Sequence, residues 1–196
     1  MGDKMLGSSQ RRISIFIEME AFTTLPGRCR PQDLGHHLTL LSVDQANNMV
    51  RTSLPQGARV DNVLSADAAN HQIISRNPDY LPSYMPGTQI VEFTNTKTER
   101  FVRVSGGNSP TASNWIMRQS DIEGLSAEQI ASKFALPAVP THVGPVSVPA
   151  GTRLQGSVAN GIMLGDNPGG GGVQFYIPID RDKLPLNWFG STGLLP

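Results

Sequence analysis

The 196-residue sequence predicts a small α+β domain, helical at first and then built on a curved, mainly antiparallel sheet. Two capping boxes, Ser42-Val43-Asp44-Gln45 and Ser126-Ala127-Glu128-Gln129, each mark the start of a helix. From Thr88 onward, short runs alternate apolar and polar residues and end at proline or glycine, which is typical of strands. With 20 glycines and 15 prolines, the chain is too rich in turns for a helical bundle.

The elements follow in order along the chain. Residues 1–40 are polar and turn-rich apart from a strand candidate at 13–17, and we predict that they form a loosely attached arm. Residues 41–79 are predicted to be a helical segment, with one helix ending near Arg51, a turn at 54–57, and a second helix from the N-cap Ser65 to about Arg76. Residues 80–196 form the predicted catalytic domain.

The alternating runs of residues 80–196 predict six strands and one helix. The first two strands, 89–93 and 100–104, are expected to pair as a hairpin through the loop 94–98. The second capping box predicts a helix that ends near Phe134. Further strands are expected at 115–118, 143–148, 152–158 and 173–177.

Composition excludes several classes of function. Positive and negative residues balance at 16 each, which argues against a protein that holds nucleic acid by a large positive field. The single cysteine, Cys29, allows neither an internal disulfide nor a cysteine metal cluster, and the four histidines lack the spacing of metal ligands. No apolar run is long enough to span a bilayer, and no signal peptide is visible at the start. We therefore expect no metal and no membrane-spanning segment.

The glycine run 169–172, followed by Val173-Gln174-Phe175, carries the strongest functional signal. Glycines at Gly171 and Gly172 let a ligand approach the backbone closely, and the following strand presents the amide of Gln174 beside them. An amide donates and accepts hydrogen bonds without charge, so it suits orienting a sugar hydroxyl or a water molecule. The alternative interpretation is a flexible hairpin loop in a β-rich domain.

Residues from about 68 to 189 resemble the C-terminal toxin domains of contact-dependent growth inhibition and related polymorphic toxin systems. More distantly, the glycine-rich ending is similar to that of the tuberculosis necrotising toxin family, whose members are NAD glycohydrolases related to ADP-ribosyltransferases. The resemblance rests on short blocks in the same order, among them Phe101-Val102-Arg103-Val104, Trp115-Ile116-Met117-Arg118, Lys133-Phe134-Ala135-Leu136-Pro137, Pro140-Thr141-His142 and the Gln174 loop.

The resemblance implies an ADP-ribosyltransferase/NADase-like fold and hydrolysis of NAD to ADP-ribose and nicotinamide. The family's essential glutamine falls on Gln174, its arginine on Arg100 or Arg103, and its histidine near His142. Val173 departs from the threonine usual before the glutamine, and the arginine lacks that family's following glycine. The resemblance also implies a secreted or delivered toxin that is part of a larger toxin or is exported by a dedicated system. It would act in the target cell's cytoplasm and be neutralised by a cognate immunity protein.

The residue types suit this chemistry. Cleavage of the nicotinamide–ribose bond releases a neutral leaving group, so the protein mainly has to hold the diphosphate and orient the ribose, and no metal is required. The planar fork of Arg103 or Arg100, which we expected on one strand face, fits a diphosphate, and Arg118 is a further candidate. Trp115 or Phe175 would stack on a flat base. We predict that Arg103, His142 and Gln174 wall one cleft.

Two other functions remain open from the sequence. In a metal-independent ribonuclease that cuts tRNA, His142 would be the general acid or base, and Arg103, Arg118 or Lys133 would hold the scissile phosphate. In a binding module without catalysis, Gln174 and His142 would be replaceable. Individual residues also have structural interpretations: Trp115 as core packing and Arg118 as an ion-pair partner of Asp121 or Glu123.

Overall fold

The computed structural model describes residues 41–76, 81–106, 109–161 and 169–195. The predicted arm 1–40 and its strand candidate at 13–17 lie outside the described residues. The described ranges confirm the mixed α+β class. They form α1 (Val43–Thr52), β1 (Arg59–Ser65), α2 (Ala66–Arg76), β2 (Gln89–Thr94), β3 (Glu99–Ser105), β4 (Trp115–Ile116), α3 (Ala127–Lys133), β5 (His142–Val148), β6 (Arg153–Val158), β7 (Val173–Tyr176) and β8 (Gly193–Leu194), with short 3₁₀ helices at Gln119–Asp121, Arg181–Lys183 and Leu186–Trp188.

The strands form two antiparallel sheets where one curved sheet was predicted. The larger sheet has the order β1-β2-β6-β7-β4, and the smaller has the order β3-β5-β8. Met117, just after β4, exchanges two backbone hydrogen bonds of 2.8 and 2.9 Å with Val102 of β3. The two sheets are therefore joined at one point beside β4.

The predicted hairpin between β2 and β3 is wrong, because the two strands belong to different sheets. Both edges of β2 are occupied, by β1 and by β6, while β3 pairs with β5. The residue after β2, Asn95, exchanges backbone hydrogen bonds with Thr152 and Gly151. This contact directs the chain toward the turn before β6 and away from a hairpin.

The segment 41–79 contains both predicted helices, but it also contains strand β1, which the sequence analysis missed. Ser42 and Gln45 form the predicted capping box at the start of α1. Strand β1 is largely exposed and pairs with β2, with a register irregularity between Val60 and Asn62. An exposed edge strand with an irregularity has no clean alternation to detect. Because β1 belongs to the larger sheet, the helical segment is not separate from the residues that follow it.

The main hydrophobic core lies between the two sheets. Phe175 of β7 contacts Phe93 of β2 and Phe101 of β3, with ring centroids 5.9 and 5.1 Å apart. A second cluster places Ile130 and Phe134, from α3 and its end, against residues of β3 such as Val104. Helix α3 thus covers the smaller sheet near the point where the sheets are joined.

Candidate functional site

A cleft of about 610 Å³ is lined by residues of both sheets and by the segment that follows α3. Arg103 comes from β3, Trp115 from β4 and Gln174 from β7, so three distant parts of the sequence meet in one cavity. These are three of the nine residues predicted for the site. The structure therefore unites the predicted glutamine, one predicted arginine and the predicted tryptophan.

Gln174 reaches the cleft because β7 alternates its side chains. Phe175, its neighbour, is fully buried in the core, so Gln174 projects from the opposite face of the strand. The Gln174 Nε2 donates a hydrogen bond to the Ser83 carbonyl oxygen at 3.2 Å. This bond holds the amide in place, and no group of the described residues donates to its Oε1.

Arg103 is the most unusual group in the cleft, because its charge is buried without a counter-ion in the described part of the chain. It is 7% exposed, its Nη2 donates to Ser109 Oγ at 2.6 Å, and its Nη1 donates to the Trp115 carbonyl oxygen at 3.4 Å. Its buried Nε has no hydrogen-bond partner among the described residues. Burial, and secondarily the charge of Arg181, lowers the pKa of Arg103 to about 10.

The charge of the cleft is one-sided. Two arginines, Arg103 and Arg181, stand in its wall, and no Asp or Glu occurs among the described residues that line it. A buried cation without a partner is costly, and an anion that enters the cleft would offset that cost. The arrangement favours a negatively charged ligand.

Trp115 adds an aromatic wall. Its ring is half-buried and lies between Tyr84 and Tyr176, with centroids 5.8 and 4.9 Å away. The indole therefore packs against the fold and also faces the cleft, as both interpretations of the sequence expected. A flat ring of a ligand finds an aromatic surface here.

The glycine run does not have its predicted role at the cleft, since Gly171 and Gly172 are not among the residues that line it. The Gly170 and Gly172 N–H groups donate to the carbonyl oxygens of Ser132 and Lys133, at 2.7 and 2.9 Å, and so satisfy the last turn of α3. A Cβ at Gly172 would lie 2.7 Å from the Lys133 oxygen and 2.8 Å from the Phe134 ring. Glycine is required there for close packing of backbone on backbone.

Three more predicted contacts lie elsewhere. Phe175 is a core residue with no exposed surface to stack on a ligand. Arg118 donates from Nε to the Ser53 carbonyl oxygen at 2.6 Å, with its guanidinium 5.9 Å from the Phe175 ring centroid. Arg100 is exposed and absent from the lining. The expectation that Arg100 and Arg103 share a face is wrong, because residues three apart in a strand point to opposite faces.

His142 is close to the predicted position but does not line the cleft. It stands opposite Ser105 in the register of β3 and β5, and its Nδ1 lies 2.8 Å from Thr141 Oγ1. The preceding segment contributes Pro140 to the wall instead. Of the three residues predicted to wall one cleft, Arg103 and Gln174 therefore line it and His142 does not.

The sequence analysis missed Arg181 and Ser109. Arg181 lies in the charged run Asp180-Arg181-Asp182-Lys183, which has the appearance of a solvated turn. Ser109 follows a loop of small residues. Neither position carries a local signal that separates it from ordinary surface.

Within the described ranges, no three His, Cys, Asp or Glu side chains come together as a metal site requires. No helix among the same residues is long and apolar enough to cross a membrane.

No protein-family model matches the chain, and no curated protein matches it. A solved structure described as "Structure of Tne2 in complex with Tni2" is 18% identical and has a TM-score of 0.42. The match covers 58% of this chain and 98% of the other. A likeness at this score carries no argument about the site.

Proposed function

We propose that this chain is a toxin domain that hydrolyses NAD to ADP-ribose and nicotinamide in the cleft of Arg103, Trp115 and Gln174. The observation that carries the proposal is the buried guanidinium of Arg103, which lacks an anionic partner among the described residues. A diphosphate would supply that partner. NAD contains a diphosphate, two riboses and two flat rings, and the cleft offers a cation for the diphosphate, an amide for a ribose and an aromatic surface for a ring.

In this scheme the protein acts mainly by holding and orienting its substrate. Arg103 binds the diphosphate by charge-assisted hydrogen bonds, which are stronger than neutral ones. Gln174, held by Ser83, orients a ribose hydroxyl or the attacking water through its free Oε1. Trp115 packs against a ring of the substrate.

Water is the proposed acceptor of the ADP-ribose group. Transfer to a protein acceptor commonly needs a carboxylate where Gln174 stands, and the described lining of the cleft contains none. An uncharged amide positions water but is a poor base. The amide of Gln174, in place of a carboxylate, therefore favours hydrolysis over ADP-ribosyl transfer.

The biological setting of the proposal comes from the resemblance of the sequence blocks to polymorphic toxins. We propose that the domain is secreted or delivered into a target cell, acts in its cytoplasm, and is neutralised by a cognate immunity protein. Expression of the chain alone should then arrest growth of the host. Co-expression of the immunity protein, or the change Gln174→Ala, should restore growth.

The direct test incubates the purified chain with NAD and, separately, with total tRNA, both in the presence of a chelator. We expect NAD to be consumed and the tRNA to stay intact. Gln174→Ala should lower the rate about a hundredfold, as removal of a positioned polar group typically does. The matched control is Gln155→Ala in β6, whose side chain donates to Glu92 at 2.9 Å and lies outside the cleft, and it should retain activity.

The ribonuclease alternative is less supported by the geometry, because its acid–base group, His142, does not line the cleft. Cleaved tRNA beside intact NAD would overturn the proposal in favour of that alternative. Loss of neither substrate would favour a binding module.

A further inference from the structure

A second depression of about 580 Å³ adjoins the cleft. The two cavities share three lining residues, Ser113, Trp115 and Arg181. We call this second depression the outer cavity. Its lining continues past Trp115 to Tyr176 and Ile179. Arg181 therefore stands at the boundary between two adjacent cavities, where an extended ligand would cross from one to the other.

Arg181 has no carboxylate partner within the described ranges. Two acids flank it in the sequence, Asp180 and Asp182. Asp180, which also lines the second depression, pairs with Lys183, whose Nζ lies 2.6 Å from Asp180 Oδ2. Arg181 begins the short helix Arg181–Lys183 and is exposed, so its side chain is accessible to a ligand. Among the described residues, Asp180 is thus paired with a different cation, and Asp182 forms no ion pair with Arg181.

The charges of Arg181 and Arg103 act on each other. The positive charge of Arg181 contributes to lowering the pKa of Arg103, after burial itself. Two like charges that face one cavity repel each other unless an anion lies between them. A multiply charged anion would relieve both the repulsion and the burial of Arg103.

We propose that Arg181 is the second anion-binding residue of this site, and that it holds a diphosphate against Arg103 while the two ends of the ligand occupy the two cavities. The proposal rests on the proposed function for the identity of the ligand, since NAD carries a ring on each side of its diphosphate. One ring then lies in the cleft near Gln174 and the other in the outer cavity beside Tyr176. Arg181 is a positioning residue, because it binds the charge and does not touch the bond that breaks.

The test compares Arg181→Gln with Arg76→Gln, which removes an exposed arginine at the end of α2 that lines neither cavity. Arg181→Gln should raise the KM for NAD about tenfold with kcat changed less than about twofold, since a uniform binding contact is lost. Arg76→Gln should change both constants less than about twofold. Hydrolysis of nicotinamide riboside, which has no phosphate, should be equal in all three proteins. Equal KM values for the two variants would overturn the proposal.

Inorganic diphosphate provides a readout that needs no turnover. By calorimetry, Arg181→Gln should bind it about tenfold more weakly than the parent and Arg76→Gln should not. Diphosphate binding that depends on Arg181, in a protein that leaves NAD intact, would support Arg181 as an anion-binding residue and overturn the proposal of NAD hydrolysis. NAD hydrolysis with diphosphate binding unaffected by Arg181→Gln would support NAD hydrolysis and overturn the assignment of Arg181 to the anion site. Absence of both in the parent protein would overturn both proposals.

Discussion

Arg103 is buried and Arg118 is half-buried, and the surroundings of the two arginines differ in one decisive respect. Arg118 donates to the carbonyl oxygen of Ser53, the residue that caps α1, and its guanidinium lies over Phe175. Arg103 is buried with a lowered pKa, an unpartnered Nε and no ion pair among the described residues. The first arrangement is satisfied within the protein, whereas the second leaves a buried charge that, in our proposal, a bound anion completes.

The same difference separates the glycine run from the cleft. The N–H groups of Gly170 and Gly172 donate hydrogen bonds to carbonyl oxygens at the end of α3, so this segment has a structural role. The cleft instead leaves the Gln174 Oε1 and the Arg103 Nε without partners in the described part of the chain. Unsatisfied polar groups that face a cavity therefore support the proposed site better than the glycine run does.

The largest expected effect is on activity, from Arg103→Met. NAD hydrolysis should fall about a hundredfold or more because the diphosphate loses its buried partner. The free energy of unfolding should stay equal or rise. Burial lowers the pKa of Arg103 to about 10, which corresponds to a folding cost on the order of a few kcal/mol at neutral pH, and removal of the charge abolishes that cost.

The sign of this cost follows from linkage. The folded state binds the Arg103 proton less tightly than the unfolded state, so the penalty is present throughout the neutral range and declines only as the pH rises through about 10. Denaturant unfolding near pH 7 therefore measures the full effect. A clear loss of stability in Arg103→Met would show that the residue is architectural, like Arg118.

The next effect is on stability, from Gly172→Ala. The added methyl group would meet the Lys133 carbonyl oxygen and the Phe134 ring, so we expect a loss of about 1–3 kcal/mol in the free energy of unfolding. Gly193→Ala is the control, since a Cβ there meets no atom within 4 Å. Equal stabilities of the two variants, measured by denaturant titration, would argue that the glycine run is free to serve a ligand.

A smaller effect is expected from Arg118→Met. The loss of its hydrogen bond to Ser53 should lower the free energy of unfolding by about 1 kcal/mol. NAD hydrolysis should be retained under conditions where the protein stays folded, because Arg118 is outside the cleft. Activity assays alongside thermal unfolding check both parts, and a hundredfold loss of activity in a folded variant would restore Arg118 to the site.

The smallest effect is expected from His142→Ala. Because His142 does not line the cleft, NAD hydrolysis should change less than about threefold, within the scatter of an indirect effect. A hundredfold loss of activity in this variant, with the protein still folded, would contradict the placement. It would return His142 to the general acid–base role that the ribonuclease hypothesis gives it.

The sequence predicted the elements well where pattern and local chemistry agree. Both capping boxes start helices as expected, and the alternation at 173–177 is what directs Gln174 and Phe175 to opposite faces. The sequence did not predict the structure where the pairing of strands distant in the chain determines the fold. The loop 94–98 has the composition of a hairpin, yet β2 is already paired on both edges, and the exposed strand β1 has no regular alternation.

For the site, the sequence identified the residue types but not all of their places. A glycine run indicates that a Cβ is excluded, but it does not say whether a ligand or a helix end excludes it, and here α3 does. Arg181 and Ser109 come from turns with no local signal, so only the fold could bring them to Arg103.

Thermal unfolding with ADP-ribose tests whether Arg103 is a buried cation that binds an anionic ligand. ADP-ribose carries the diphosphate and is not consumed, so it should stabilise the parent protein by several degrees at concentrations well above its Kd. Arg103→Met should melt at or above the temperature of the ligand-free parent and show no shift with ADP-ribose. A parent that ADP-ribose does not stabilise, or an Arg103→Met variant that melts lower yet shifts equally, would contradict the account.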